Sequence, residues 1–254
     1  MHLVGCGAVG RLMRTRVEFE PAYLLAQRPY RESSQLLEIF TRQHGRVGLV
    51  ARGARGPRSK LRGVLQLFSP LLLSWTESGE LGTLTAAEAD GATVNLSGER
   101  VFHGWYINEL LLKLTERHDP HPWLYRDYIM VLAELPGSGS EAALRVFEKR
   151  LLSEMGYALP LTPDLEPQRR YRFDLEQGAR AAAAGDADSY AGASLIALFE
   201  ERLQTREALR DARKLLGAAL RRQLAGRELE TPRLLRSLRA RHPAQNPPME
   251  PDSA

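Results

Sequence analysis

Three stretches of this sequence set out residue types that could do chemistry. Near its start, Gly5-Cys6-Gly7-Ala8-Val9-Gly10 has the spacing of a glycine loop that holds a dinucleotide pyrophosphate on backbone N–H groups. Such a loop must follow a buried strand and open a helix. Four residues precede this one, and Met13 offers a start of translation beyond it, so no cofactor is assigned. His118-Asp119-Pro120-His121 brings two imidazoles and a carboxylate together, but Pro120 and Pro122 prevent helical presentation at i, i+3 or i, i+4. An interhelical loop without metal is expected there. Cys6 is the single cysteine, which excludes an intrachain disulfide and a zinc site built from two or more thiolates. No nucleophile elbow, P-loop or Ser/His/Asp cluster has a supporting context, so no catalytic residue is assigned and the chain is read as non-enzymatic.

The third stretch is the informative one. Arg52-Gly-Ala-Arg55-Gly-Pro-Arg58-Ser-Lys60-Leu-Arg62 places five cations and no carboxylate in eleven residues rich in Gly and Pro. Flexible backbone lets such a loop approach a phosphate strand closely, and spaced guanidinium groups then neutralise successive phosphates and release counterions. The competing reading is a solvated charged loop. Arg28, Arg31, Arg42 and Arg46 add cations nearby, and Tyr30, framed as Arg28-Pro29-Tyr30-Arg31, is expected as a surface ring for base stacking. Phe40, Phe68 and Trp75 are expected mostly in the core. A second basic surface is helical: Arg206, Arg210, Arg213 and Arg221 fall on one stripe, opposite Leu209, Ala212, Leu216, Ala219 and Leu224. Across the chain, thirty-one arginines stand against four lysines, with a net charge of +4 and a pI near 9.4. Arginine's planar fork suits phosphate oxygens, although a GC-rich genome explains the same bias.

These groups must be held by ordered elements, and the 254 residues suffice for one large or two ordinary domains. From Arg14 to about Ala89 the runs are short and strand-like: Arg16 to Gln27, Arg46 to Ala51, Val64 to Trp75 and Leu81 to Leu84. Gly45, the Gly53/Gly56/Pro57 cluster and Ser78-Gly79 punctuate them at spacings that suit a small antiparallel barrel. Leu36 to Phe40 fits strand or helix. The domain boundary is placed in Glu88 to Gly98. Beyond it the pattern predicts an apolar central helix through Val101, Trp105 and Leu112, a helix from Pro122 to Leu135, and one from Glu141 to Met155. The last has capping-box spacing at Ser138/Glu141 and a C′ Gly156. Residues 157–188 read as irregular, helix returns at Ser189 to Leu203 and Arg206 to Ala225, and a short helix lies near Leu234 to Ala240. The expected division is thus 1–12 as a disordered extension, 13–90 as the barrel, 91–241 as the helical domain and 242–254 as a disordered tail. No apolar run approaches the roughly 20 residues of a membrane span, and no signal peptide is evident, so the chain is read as cytoplasmic.

Taken in order, several segments resemble the RecO family of bacterial DNA-repair and recombination mediators. They are Leu24 to Ser34 (LLAQRPYRESS), Phe40 to Val50 (FTRQHGRVGLV), Arg52-Gly-Ala-Arg55 and Leu65 to Pro70 (LQLFSP), followed by Gly79-Glu-Leu-Gly-Thr-Leu84 and Gly104-Trp-Tyr-Ile-Asn108-Glu109-Leu-Leu. His121-Pro-Trp-Leu-Tyr125, Leu144-Arg-Val-Phe-Glu148 and Leu152 to Tyr157 continue the series, so the resemblance covers roughly Met13 to Arg236. It implies an α+β protein with an N-terminal OB-fold β-barrel followed by an all-α C-terminal domain.

The resemblance further implies a nucleoid-associated mediator that binds single- and double-stranded DNA and anneals complementary strands. It would help load recombinase onto DNA coated with single-stranded DNA-binding protein, with RecR and that protein's acidic C-terminal tail as partners. The nucleic-acid set carried forward is Arg28, Tyr30, Arg31, Arg46, Arg52, Arg55, Arg58, Lys60, Arg62, Arg206, Arg210 and Arg213. Leu144, Arg145, Phe147, Arg150 and Leu151 combine apolar and cationic types that suit the tail. Many family members carry a four-cysteine zinc cluster in the region of Gly156 to Asp188; this chain has no cysteine there, and metal is not carried over. Where the family often has Lys-Ser-Arg, this chain reads Glu230-Thr231-Pro232-Arg233. The alternative reading is an RNA-binding or translation-linked OB-fold module, because barrel chemistry accepts either nucleic acid unless a 2′-OH is read.

Overall fold

A computed structural model describes residues 15–77, 79–183 and 185–241. The glycine run, the whole 1–12 extension and the 242–254 tail, with the expectations made for them, lie outside the described residues. The chain divides into two compact units between Thr93 and Val94.

The first unit is a closed five-stranded barrel of β1 (Arg16–Tyr30), β2 (Ser34–Thr41), β3 (Arg46–Ala51), β4 (Pro70–Thr76) and β5 (Gly82–Ala89), in the order β1-β2-β3-β5-β4. That is the Greek-key order of an OB-fold. Alternation drives it: Leu24, Leu37, Ile39, Leu49, Leu71, Leu73 and Trp75 point inward and are fully buried. Leu36 to Phe40, open between strand and helix in the sequence, falls in β2. Register shifts at Val17/Glu20 and Leu24/Ala26 let the fifteen-residue β1 bend around the barrel and pair with both β4 and β2. The run from Val64 is not all strand. A one-turn α1 (Leu61–Val64) precedes it, Phe68 takes a φ of 63°, and Leu65 joins the barrel core before β4 begins.

The barrel closes through parallel pairing of β3 and β5, with Leu49 opposite Gly82 and Val50 opposite Thr83. Gly82 is required there by contact: a Cβ would stand 2.6 Å from Leu49 Cδ2 and 3.0 Å from Trp75 Cδ1, both side chains fully buried. Gly82→Ala is therefore expected to overpack the closure by about 1–3 kcal/mol. Denaturant unfolding should report the loss, and a variant as stable as the parent would contradict it.

The second unit is helical: α2 (Arg100–Leu114), α3 (Pro122–Glu134), α4 (Ser140–Glu154), α5 (Gly192–Phe199), α6 (Arg206–Leu224) and α7 (Glu230–Arg241). α4 packs against α3 and α6, α5 against α6, and α7 against α2. Pro122 sits in the first turn of α3, and Gly156, with a φ of 82°, follows α4. The capping box does not form, because α4 begins one residue after Gly139 and no side chain caps it. Glu109, inside α2, accepts the backbone N–H groups of Glu230 and Thr231 at 2.7 and 2.9 Å and so caps α7 from outside.

Residues 157–188 depart from the irregular segment expected, and the unit is not wholly α. β6 (Arg170–Asp174), β7 (Gly178–Ala181) and β8 (Tyr190–Ala191) form a small sheet in the order β7-β6-β8. Strands of two to five residues carry no readable alternation. Side chains of β6 tie it to the segment that leads into β8: Arg172 pairs with Asp186, and Arg170 donates to Ser189 Oγ and O at 2.8 Å each, while Lys214 of α6 reaches Asp188 in the same segment at 2.6 Å.

Candidate nucleic-acid interface

β1 and β2 are joined by the three-residue turn Arg31 to Ser33, with Tyr30 registered against Ser34. Arg31 adopts a φ of 51°, and its guanidinium lies over the Tyr30 ring, 5.3 Å from the centroid. A cation over an aromatic face is attracted by the ring quadrupole. Beside this turn runs the basic loop between β3 and α1. Arg52, Arg58, Lys60 and Arg62 are exposed there and have no ion pair among the described residues. Arg28 is likewise exposed on β1.

Between the turn, the loop and the start of β5 lies a groove of about 480 Å3, walled by Tyr30, Arg31, Ser33, Ser34, Arg52 and Thr83 among others. It occupies the end of the barrel where the first inter-strand loop meets the approach to β5, a place where this fold binds oligonucleotides.

Two of the barrel cations are committed elsewhere. Arg46 Nη1 donates to Glu38 Oε2 at 2.8 Å across the β2–β3 hairpin, with both side chains largely buried. Arg55 is exposed but bonded to the β1–β2 turn: its backbone N–H donates to Ser33 O at 2.9 Å, and its Nη1 to Arg31 O and Glu32 O at 3.3 Å each. Of the aromatics, Phe40, Phe68 and Trp75 are core, as their types led one to expect.

On the helical unit, Arg206, Arg210 and Arg213 are exposed along α6. Arg210 stands 3.6 Å from Glu207 and 3.8 Å from Asp211, while Arg206 and Arg213 have no ion pair among the described residues. This face is more neutral than a count of its arginines indicates, since Lys214 and Arg222 are paired with Asp188 and Glu176.

The five residues suited to a peptide tail do not form an open pocket. Leu144, Phe147 and Leu151 are buried in the helical core. Arg150 is held by Asp127 at 2.9 Å and Glu201 at 2.5 Å, and this pairing pushes its guanidinium above its ordinary range. Arg145 is itself buried, with Nη2 3.0 Å from Glu148 Oε1, and Tyr106 OH donates to the same oxygen at 2.5 Å. Burial raises the Glu148 carboxyl and raises Tyr106 well above its usual value. An apolar stripe on an amphipathic helix that packs on two neighbours is used up by the core.

Sequence reasoning missed the hydroxyl walls of the groove. Ser33, Ser34 and Thr83 all stood in quoted segments, but Thr83 lies about fifty residues from the serines and nothing local showed that barrel closure brings them together. No group of three or more His, Cys, Asp or Glu arranged for a metal occurs among the described residues, and His121 Nδ1 instead faces Glu154 Oε1 at 3.2 Å.

Compared with known proteins, residues 13–91 match the family model for the recombination protein O N terminal, and residues 96–232 that for the recombination protein O C terminal. The DNA repair protein RecO of Alkalilimnicola ehrlichii is 44% identical over 246 residues, covering 93% of this chain and 98% of that protein. Those of Coxiella burnetii and Dechloromonas aromatica are each 40% identical, over 88% and 89% of this chain and 100% and 98% of their own lengths.

Proposed function

This chain belongs to the RecO family, and on that premise we propose that it serves in recombinational DNA repair as a non-enzymatic mediator that binds DNA and anneals complementary strands. The observation that carries the reading is the set of exposed barrel cations without an ion pair among the described residues: Arg31 and Arg52, which line the groove beside Tyr30, with Arg28, Arg58, Lys60 and Arg62 on the same unit. Annealing requires that the repulsion between two phosphate backbones be screened while the bases stay free to pair. Mobile guanidinium and ammonium groups supply the screening without covalent chemistry.

Arg206 and Arg213 of α6 offer a second place for phosphate on the other unit. Single- and double-stranded DNA are the proposed nucleic-acid partners, with RecR and the acidic tail of single-stranded DNA-binding protein as protein partners. The tail's residues are sought away from Leu144, Phe147 and Leu151, which have no free surface to give. Among the described residues no helix is long and apolar enough to cross a membrane; the proposed place of work is the nucleoid in the cytoplasm.

The direct test mixes two complementary labelled oligonucleotides with and without the protein across a salt series. Pairing is expected to accelerate several-fold at low salt and to lose the acceleration as salt screens the phosphate contacts. RNA of equal length in competition separates the alternatives: RNA outcompeting DNA, or no acceleration at any salt, would overturn the reading.

A further inference from the structure

We propose that the groove at the β1–β2 turn is a subsite for one unpaired nucleotide, with its base stacked on the Tyr30–Arg31 pair and its two walls held together by Arg55. This rests on the DNA-binding reading above and says how the site separates single strands from duplex.

The groove's volume of about 480 Å3 lies in the range that encloses a single small-molecule-sized group, which is one nucleotide and not a base-paired helix. Its lining divides into parts that each meet a different part of a nucleotide. Tyr30 and the guanidinium over it present flat faces, and bases stack on both kinds of surface. Arg52 supplies positive charge for the phosphate. The hydroxyls of Ser33 and Thr83 can each donate to or accept from a base edge or sugar. A base inside a duplex has its faces covered by its neighbours and cannot enter, so duplex is met by the exposed cations alone.

Arg31 is held in the left-handed backbone region, uncommon for a residue with a side chain. In this protein that conformation coincides with the placement of its guanidinium over Tyr30. Arg55 fixes it there. The backbone N–H of Arg55 and its Nη1 bond to the carbonyls of Ser33, Arg31 and Glu32, tying the basic loop to the turn at three successive residues. Arg55 is therefore a positioning residue: it sets the distance between the wall carrying Tyr30 and the wall carrying Arg52, with its Nη1 given to backbone carbonyls.

The experiment compares a thymidine oligonucleotide with one of equal length made of abasic units, which keeps every phosphate and removes every base. The wild-type protein is expected to prefer the base-bearing strand by roughly 5- to 100-fold. Tyr30→Leu should abolish the preference, Tyr30→Phe should keep it, and neither should change binding to blunt duplex. Arg55→Ala should reduce the preference while changing the salt slope by less than one phosphate contact, about 0.7. Equal binding of both strands by wild type, a comparison that needs no variant to fold, would overturn the subsite. So would a Tyr30→Leu variant that keeps its preference or loses duplex binding equally. If Arg55→Ala leaves the preference intact and flattens the slope by 0.7 or more, Arg55 touches phosphate and the positioning role falls. In all these cases DNA binding itself still stands. Should the wild type bind neither strand nor duplex at low salt, the parent reading fails and takes the subsite with it.

Discussion

Replacing Arg52, Arg58, Lys60 and Arg62 together with alanine is expected to weaken binding of a single-stranded oligonucleotide by about 10²- to 10³-fold at 0.1 M salt. The size follows from counterion release. Each phosphate neutralised on a single strand contributes a slope of about 0.7 in log affinity against log salt, so four lost contacts flatten the dependence by close to 3. At 0.1 M that slope difference is itself the affinity difference. All four side chains are exposed and free of ion pairs among the described residues, so no internal partner is orphaned and the fold should be unaffected. Titration at four or five salt concentrations, with thermal unfolding as a control, decides the matter. An unchanged slope would remove this loop from the interface. Adding Arg46→Ala should contribute little to the slope, because Arg46 is already held by Glu38.

The second large effect concerns stability. Arg145→Ala leaves Glu148, a side chain with no exposure, without its ion-pair partner and with the Tyr106 hydroxyl still donating to it, and breaking a buried ion pair from one side costs about 3–5 kcal/mol. Burial raises the Glu148 carboxyl while Arg145 pulls it down, so the variant's folded value should rise further. A carboxyl whose folded pKa lies above its unfolded one contributes stability at low pH and loses it as pH climbs through the folded value. The gap between wild type and variant should thus be widest at neutral pH and narrow on acidification. Glu148→Gln in the same background should recover much of the loss, since the stranded charge is then gone. A gap that is flat with pH and indifferent to Glu148→Gln would show that this pair matters by packing alone.

How far the sequence foretold these features depends on the range of the interactions. The barrel strands could be read because glycine and proline punctuation and alternation are local, and α6 and α7 because their apolar stripes recur within one helix. Leu36 to Phe40 could not be decided locally; pairing on both sides, to β1 and β3, makes it a strand. The β6-β7-β8 sheet was illegible for the same reason, its strands of two to five residues being defined by pairing with one another rather than by a local pattern. Residue types marked the basic loop, but type cannot distinguish a free arginine from an engaged one. Arg46 meets an acid eight positions away across a hairpin, and Arg55 meets carbonyls more than twenty positions back. Leu144, Phe147 and Leu151 illustrate the converse error, in which an apolar stripe read as a receptor was already occupied by the protein's own interior.

The parallel junction of β3 with β5 has a bearing on how the groove behaves in time. Two registered residue pairs close one side of the barrel, whereas β1 pairs through eight residues of its C-terminal half with β2 and six of its N-terminal half with β4. Local openings begin where the fewest bonds must break together. The cheapest breach in the cylinder is therefore at the rim that carries Gly82 and Thr83, so that breathing of the domain and gaping of its mouth are one motion.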